Sequence, residues 1–218
     1  MATAKTPPPP AGAGAGEPTG PRLVAAAREL LLRDGVTGVT MRKVATMAGV
    51  TPTSVYWHFG SREALLDQVL TALIEALPEP KARGRSPRKR MMELAGELRA
   101  QVAATQPVQE LALELGRAAE LSFPTQVALA REVAACGLRG DDAAMVVRAI
   151  LFTVGGFILL TDNFEQRVPG SETTQELWHS LGGGAVDAGL QRAMEQGVDT
   201  DVLFAFTLDK LLDGLLPD

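Results

Sequence analysis

The chain has 218 residues, 46% hydrophobic and 22% charged, a balance that suffices for one or two buried cores and excludes a fibrous or wholly disordered protein. Its longest uncharged apolar stretch, Ala149 to Leu160, falls short of the roughly 20 residues of a membrane span, and residues 1–20 lack the apolar run of a secretory leader. One cysteine, Cys136, and two histidines allow no internal disulfide and little zinc chemistry. The expectation is a cytoplasmic protein with no metal, no cofactor and no membrane partner.

The net charge of −5 divides unevenly: residues 21–90 hold 12 Lys and Arg against 6 Asp and Glu, whereas residues 91–218 hold 8 against 19. A small polyanion-binding module joined to a larger acidic domain accounts for this, and chance asymmetry of a solvated surface is the alternative.

Residues 1–20, with 5 Ala, 4 Gly and 5 Pro, cannot offset chain entropy by burial and are expected to be a disordered tail. From Pro21, Leu23, Ala27, Leu30 and Leu31 recur at helical spacing, and Gly35 supplies a stop. Thr40 is an N-cap before Met41, Val44, Ala45 and Ala48, with Gly49 ending that second helix. Thr51 and Pro52 open a short third helix through His58, and Ser61, Glu63, Leu65, Leu66, Val69, Leu70, Leu73, Ile74 and Leu77 form a fourth. Pro78 and Pro80 break it. Lys81 to Arg90, with six basic residues, reads as a linker or loop, more simply solvated than bound to flanking phosphates. Further helices are predicted at about 87–105, 107–121, 124–136, 141–164, 172–181, 185–196 and 200–216, with no alternating strand run. The fold class is all-α, with a basic four-helix part over 21–77 and a larger helical part over 78–218.

Met41 to Phe59 has the grammar of a helix-turn-helix. Val44, Ala48, Val50 and Val55 supply apolar contacts between two short helices, and Gly49 allows the positive φ of the turn. Gly35, Val39-Thr40-Met41, Val44-Ala45, Ala48-Gly49-Val50, Tyr56-Trp57-His58-Phe59, Ser61-Arg62-Glu63 and Leu65 together resemble the N-terminal motif of the tetracycline-repressor family of bacterial transcription regulators. The resemblance implies a homodimer whose paired helix-turn-helix units read a palindromic double-stranded operator, with a C-terminal cavity for a small-molecule effector that controls their separation. It implies that Thr40 caps and meets a phosphate and that Arg42 reaches a guanine or phosphate. Thr51, Pro52, Thr53 and Ser54 would touch base edges, and Tyr56, Trp57, His58 and Arg62 would lie against the backbone. Packing is the competing reading for Trp57, Phe59 and His58.

The C-terminal part resembles the tetracycline-repressor subfamily in Gly137 before Asp141, in Leu151 to Gly155, and in Phe204 to Leu208 with Gly214-Leu215. This implies a dimer interface from Phe152, Gly155, Gly156, Leu159, Phe206, Leu208, Leu212 and Leu215, an intrachain core being the alternative. The subfamily's magnesium-chelated drug is not expected, because no histidine lies between His58 and His179 and Glu114 is the only nearby acidic substitute. An apolar cavity is expected instead, lined by Met91, Leu94, Leu98, Phe123, Phe152 and Phe157, with Arg117, Asn163, Trp178 and His179 as polar anchors. The fourth helix, from Arg62 to Pro78, is the expected route by which a filled cavity tilts the reading heads.

Two other classes compete. A thiol enzyme would pair Cys136 with His179, but neither sits in a nucleophile motif, so no catalysis is expected. An architectural DNA binder would bind any duplex equally.

Overall fold

The computed structural model describes residues 19–166, 174–180, 186–196 and 199–217, without the side chains of 160–166, 174 and 175. The expected disordered tail therefore lies outside the described residues except for Thr19 and Gly20, which belong to the first helix. The described elements are α1 (Thr19–Gly38), α2 (Met41–Ala48), α3 (Pro52–Phe59), α4 (Arg62–Glu75), α5 (Pro87–Ala104), α6 (Gln106–Glu114), α7 (Ala118–Ala135), α8 (Gly140–Gln166), α9 (Thr174–Ser180), α10 (Ala188–Gln196) and α11 (Thr200–Leu215). The fold is all-α, and no strand occurs among the described residues.

The helices cluster into two compact units. One holds the chain to Ala76 together with Glu110–Leu115, and the other holds Leu77–Gln109 and the chain from Gly116 onward. The sequence reading placed all of 78–218 in one domain. The end of α6 departs from it, since Leu111 and Ala112 are fully buried there.

In the first unit α1 buries Leu23, Ala27, Leu30 and Leu31 on one face, against α2 and α4. Gly35 interrupts α1 with φ 72°, a left-handed conformation that a side chain adopts only at a cost of about 1–2 kcal/mol. Three residues later the turn is so tight that a Cβ on Gly38 would lie 2.2 Å from the Cβ of Asp34.

In the second unit α5, α7, α8 and α11 share a core of Met91, Leu94, Leu98, Leu129, Val133, Ile150, Val154, Phe204, Leu208 and Leu212. Each such side chain contributes roughly 1.5–3 kcal/mol by leaving water. The basic segment proves to be only half a loop. Ser86 caps α5 by accepting from the Lys89 amide, so that Arg88 and Arg90 stand on a helix. Arg88 donates to the carboxylates of Asp209 (2.6 Å) and Asp213 on α11, and Arg90 pairs with Glu132 on α7 at 2.7 Å.

Two further expectations are corrected. The predicted helices at 107–121 and 124–136 are instead α6, ending at Glu114, and α7, running through Pro124. Gly116, at φ 68°, makes the break. Pro124 costs roughly 3 kcal/mol inside a helix, which burial of Leu121, Thr125, Leu129 and Val133 along one face offsets. The stretch Gly140–Leu159 of α8 is long and apolar enough to span a membrane by length and composition, which the reading from Ala149 to Leu160 alone does not include.

Candidate nucleic-acid interface

The interface is built from local backbone chemistry. Thr40, in extended conformation, accepts at its Oγ1 from the Lys43 amide at 3.3 Å and starts α2. Gly49, at φ 68° and ψ 34°, ends α2 in the left-handed region and turns the chain. Thr51 caps α3 by accepting from the Ser54 amide at 3.3 Å, with Pro52 in the first helical position. Thr40 and Thr51 thus spend their oxygens on caps, while each hydroxyl keeps a hydrogen for an outside acceptor.

Only Val55 of α3 is buried. Thr53, Tyr56, Trp57 and His58 are exposed, Trp57 to 81%. Trp57 is open to water, and its ring meets that of His58 edge-on at 4.9 Å. Phe59 is half-buried. Arg42 is exposed on α2 and lines a cleft of about 390 Å³ with Leu30, Arg33, Lys43, Thr46 and Met47. Hydrogen bonds from Arg33, then Lys43, hold the Asp34 carboxyl down at about 2. The two cations are therefore partly neutralised within the unit, and Asp34 is ionised throughout the physiological range.

Arg62 is not placed as expected. Its Nε donates to the Val39 carbonyl at 2.8 Å and its Nη2 to the Val36 carbonyl at 2.6 Å, with Nη1 at 3.9 Å from Glu114. It holds backbone, not an outward edge for phosphate. A residue missed in the sequence, Arg22, does the same at the other end of α2 by donating to the Ala48 carbonyl at 2.9 Å.

Comparison with known proteins meets this geometry. The family profile described as bacterial regulatory proteins, tetR family, matches residues 23–69, which span α2, α3 and most of α1 and α4. Through these residues the chain is similar to the TetR family. An HTH-type transcriptional regulator of Saccharopolyspora erythraea is 38% identical over 78 residues, 36% of this chain and 33% of that protein. The class A tetracycline repressor from transposon 1721 of Escherichia coli is 42% identical over 52 residues, 24% of each chain. The chain thus matches only a third or less of these relatives' length. The likeness in structure runs further. SCO7222, a TetR transcriptional regulator from Streptomyces coelicolor, superposes with a TM-score of 0.62 at 26% identity, covering 89% of this chain and 95% of that one.

In this chain the expected effector residues are not gathered in one cavity. Leu94 and Leu98 do line one, of about 230 Å³, with Gln101, Thr125 and the Pro78–Arg83 segment. Met91 is sealed in the core, Arg117 pairs with Glu120 at 2.8 Å, and Glu114 sits in the first unit beside Arg62. Phe123 and Phe152 are exposed, at 61% and 80%. Phe157 packs edge-on against Phe204 at 5.2 Å. The Trp178 carbonyl accepts from Gln191, and His179 is exposed, 3.8 Å from Glu195. The side chain of Asn163 lies outside the described residues.

The expected dimer residues divide as well. Leu208 and Leu212 are wholly buried in the second unit's own core, whereas Phe152, Leu159, Phe206 and Leu215 are exposed and Gly155 and Gly156 half-exposed. Helical period explains the split: Phe204, Leu208 and Leu212 recur every four residues on the inner face of α11, and Val202 and Phe206 fall on the outer one. Met145, Phe152 and Leu159 recur every seven residues on α8 and so lie exposed along one face.

Cys136 is half-buried against the core, and burial pushes its thiol up. A protonated thiol is a poor nucleophile.

Proposed function

We propose that the protein is a ligand-responsive transcription regulator of the cytoplasm, a homodimer that represses by binding a palindromic operator and leaves it when a small, partly apolar effector binds. The observation that carries this is α3, two helical turns capped by Thr51, with one side chain inward and Thr53, Tyr56, Trp57 and His58 outward. Thr51 to Ser54 read base edges, Arg42 takes a guanine or phosphate, and Thr40, Tyr56, Trp57 and His58 hold the backbone.

The exposed stripe on α8 and the outer face of α11 support pairing with a second copy, because a monomer rarely leaves so much apolar surface wet. The cavity sets Leu94 and Leu98 beside Glu97, Gln101, Thr125 and the charged Glu79, Lys81 and Arg83, which supports an effector with an apolar part and several polar groups. The test is selection of bound sites from a random duplex pool. A single inverted-repeat sequence, favoured by about 10³ or more over unrelated duplex at equal salt, is expected. Recovery of no consensus, with comparable affinity for every duplex, would favour the architectural binder and sink this reading.

A further inference from the structure

The eight-residue α2 is too short to be held in place by its own hydrogen bonds, and its two ends are gripped from outside. Before it, the carbonyls of Val36 and Val39 close the broken end of α1, where the helix dipole is negative and the Val36 carbonyl also accepts from the Val39 amide at 3.2 Å. Arg62 supplies Nη2 to the Val36 carbonyl and Nε to the Val39 carbonyl, from 26 and 23 residues away, at 2.6 Å and 2.8 Å. After it, the last carbonyl of α2, that of Ala48, accepts from Arg22.

We propose that Arg62, with Arg22 at the opposite end, is a positioning residue for DNA reading, which sets the orientation of α2 and α3 by gripping backbone carbonyls and makes no phosphate contact. The inference rests on the DNA-binding function proposed above. Three features carry it. The Nε–Nη2 edge that a guanidinium would offer to a phosphate is already occupied. The remaining nitrogen, Nη1, lies 3.9 Å from the Glu114 carboxylate, which would repel a phosphate there. And the segment gripped turns tightly, since a Cβ on Gly38 would clash with the Asp34 side chain. A displacement at Val39 therefore passes directly to Thr40, the cap of α2, and to Arg42 beyond it.

The experiment uses the full chain with Arg62→Gln, Arg62→Lys and Arg22→Gln, and two probes: the duplex recovered by selection and an unrelated duplex of equal length. Each is titrated over a salt series. Arg62→Gln is expected to lose about tenfold or more in affinity for the selected duplex, while its affinity for the unrelated duplex and the salt slope there stay at the wild-type value. Loss of a phosphate contact would instead weaken both duplexes alike and make the slope shallower by about 0.9. That outcome would overturn the proposal. Lysine keeps the charge and would serve a phosphate, but cannot reproduce a two-nitrogen grip on two carbonyls, so Arg62→Lys should behave like Arg62→Gln. Wild-type binding by Arg62→Lys also overturns the proposal. Amide exchange over residues 36–44 of the DNA-free protein should accelerate in Arg62→Gln and Arg62→Lys, and unchanged exchange counts against the grip. Should Arg62→Gln fail to fold, Arg62→Lys and Arg22→Gln decide. Should the wild type select no duplex, the function proposed above fails while the exchange measurement still tests the grip.

Discussion

Val55 alone turns inward on α3, and that single anchor leaves Tyr56 and Trp57 with more than half of their surfaces in water. Arg42→Ala and Tyr56→Ala are expected to weaken binding to the selected duplex by about 1–3 kcal/mol where the lost contact is to a base edge, with helicity and dimerisation unchanged. Filter or fluorescence titration beside circular dichroism checks this, and full affinity in both variants would remove the docking scheme. The caps were legible in the sequence, because Thr40, Thr51 and Ser61 accept from amides three residues on and the Gly49 amide donates to carbonyls within four residues. Arg22 and Arg62 were not. Their partners are carbonyls more than twenty residues away, and a carbonyl is present at every position, so no pattern of side chains records the pairing.

Helix boundaries show the same division between near and far. The N-terminal helices follow their caps, whereas α7 runs through Pro124 because the face carrying Leu121, Thr125 and Leu129 is buried by helices distant in sequence. The start of α5 is another long-range case: its arginines look like a loop's until Asp209 and Asp213 of α11 are brought to them. Hydrogen bonds from Lys210 and then Arg88 hold the Asp213 carboxyl down at about 2, below the roughly 3.9 of an unfolded chain. A carboxylate depressed by folding stabilises above its unfolded value, and that contribution is lost as the pH falls from about 4 towards 2. The second unit should therefore loosen over this window. Asp213→Asn should reduce the acid-dependent part of the loss while lowering stability at pH 7, and thermal melts at pH 7, 4 and 2.5 would detect it. An identical pH profile in the variant would count against a structural role for the pair.

At the scale of the whole molecule, the inner and outer faces of α11 demand different tests. Leu212 is wholly buried, so a charge there would unfold the second unit and say nothing about assembly. Phe206→Glu and Phe152→Glu lie on exposed positions, at 61% and 80%, and are expected to yield folded monomers by light scattering. An unchanged dimer in both would place the interface elsewhere. Regulation, on the reading proposed here, couples the effector cavity to operator affinity, and coupling is reciprocal. A compound that releases the DNA must lose affinity for the protein by the same factor when operator is saturating. Calorimetric titration with and without operator measures both, and equal affinities for a compound that does release the DNA would rule out the linkage.

The apolar stripe of Met145, Phe152 and Leu159 bears finally on how heat resistance scales with dose. If a second copy covers it, unfolding consumes one dimer and yields two chains, so mass action raises the melting temperature with total protein concentration. A hundredfold dilution should lower the midpoint of the wild type by several degrees and leave that of Phe152→Glu unmoved, a difference that scanning calorimetry can read without any ligand or DNA. A protein built in this way is most fragile just after synthesis, when the first chains have few copies to meet.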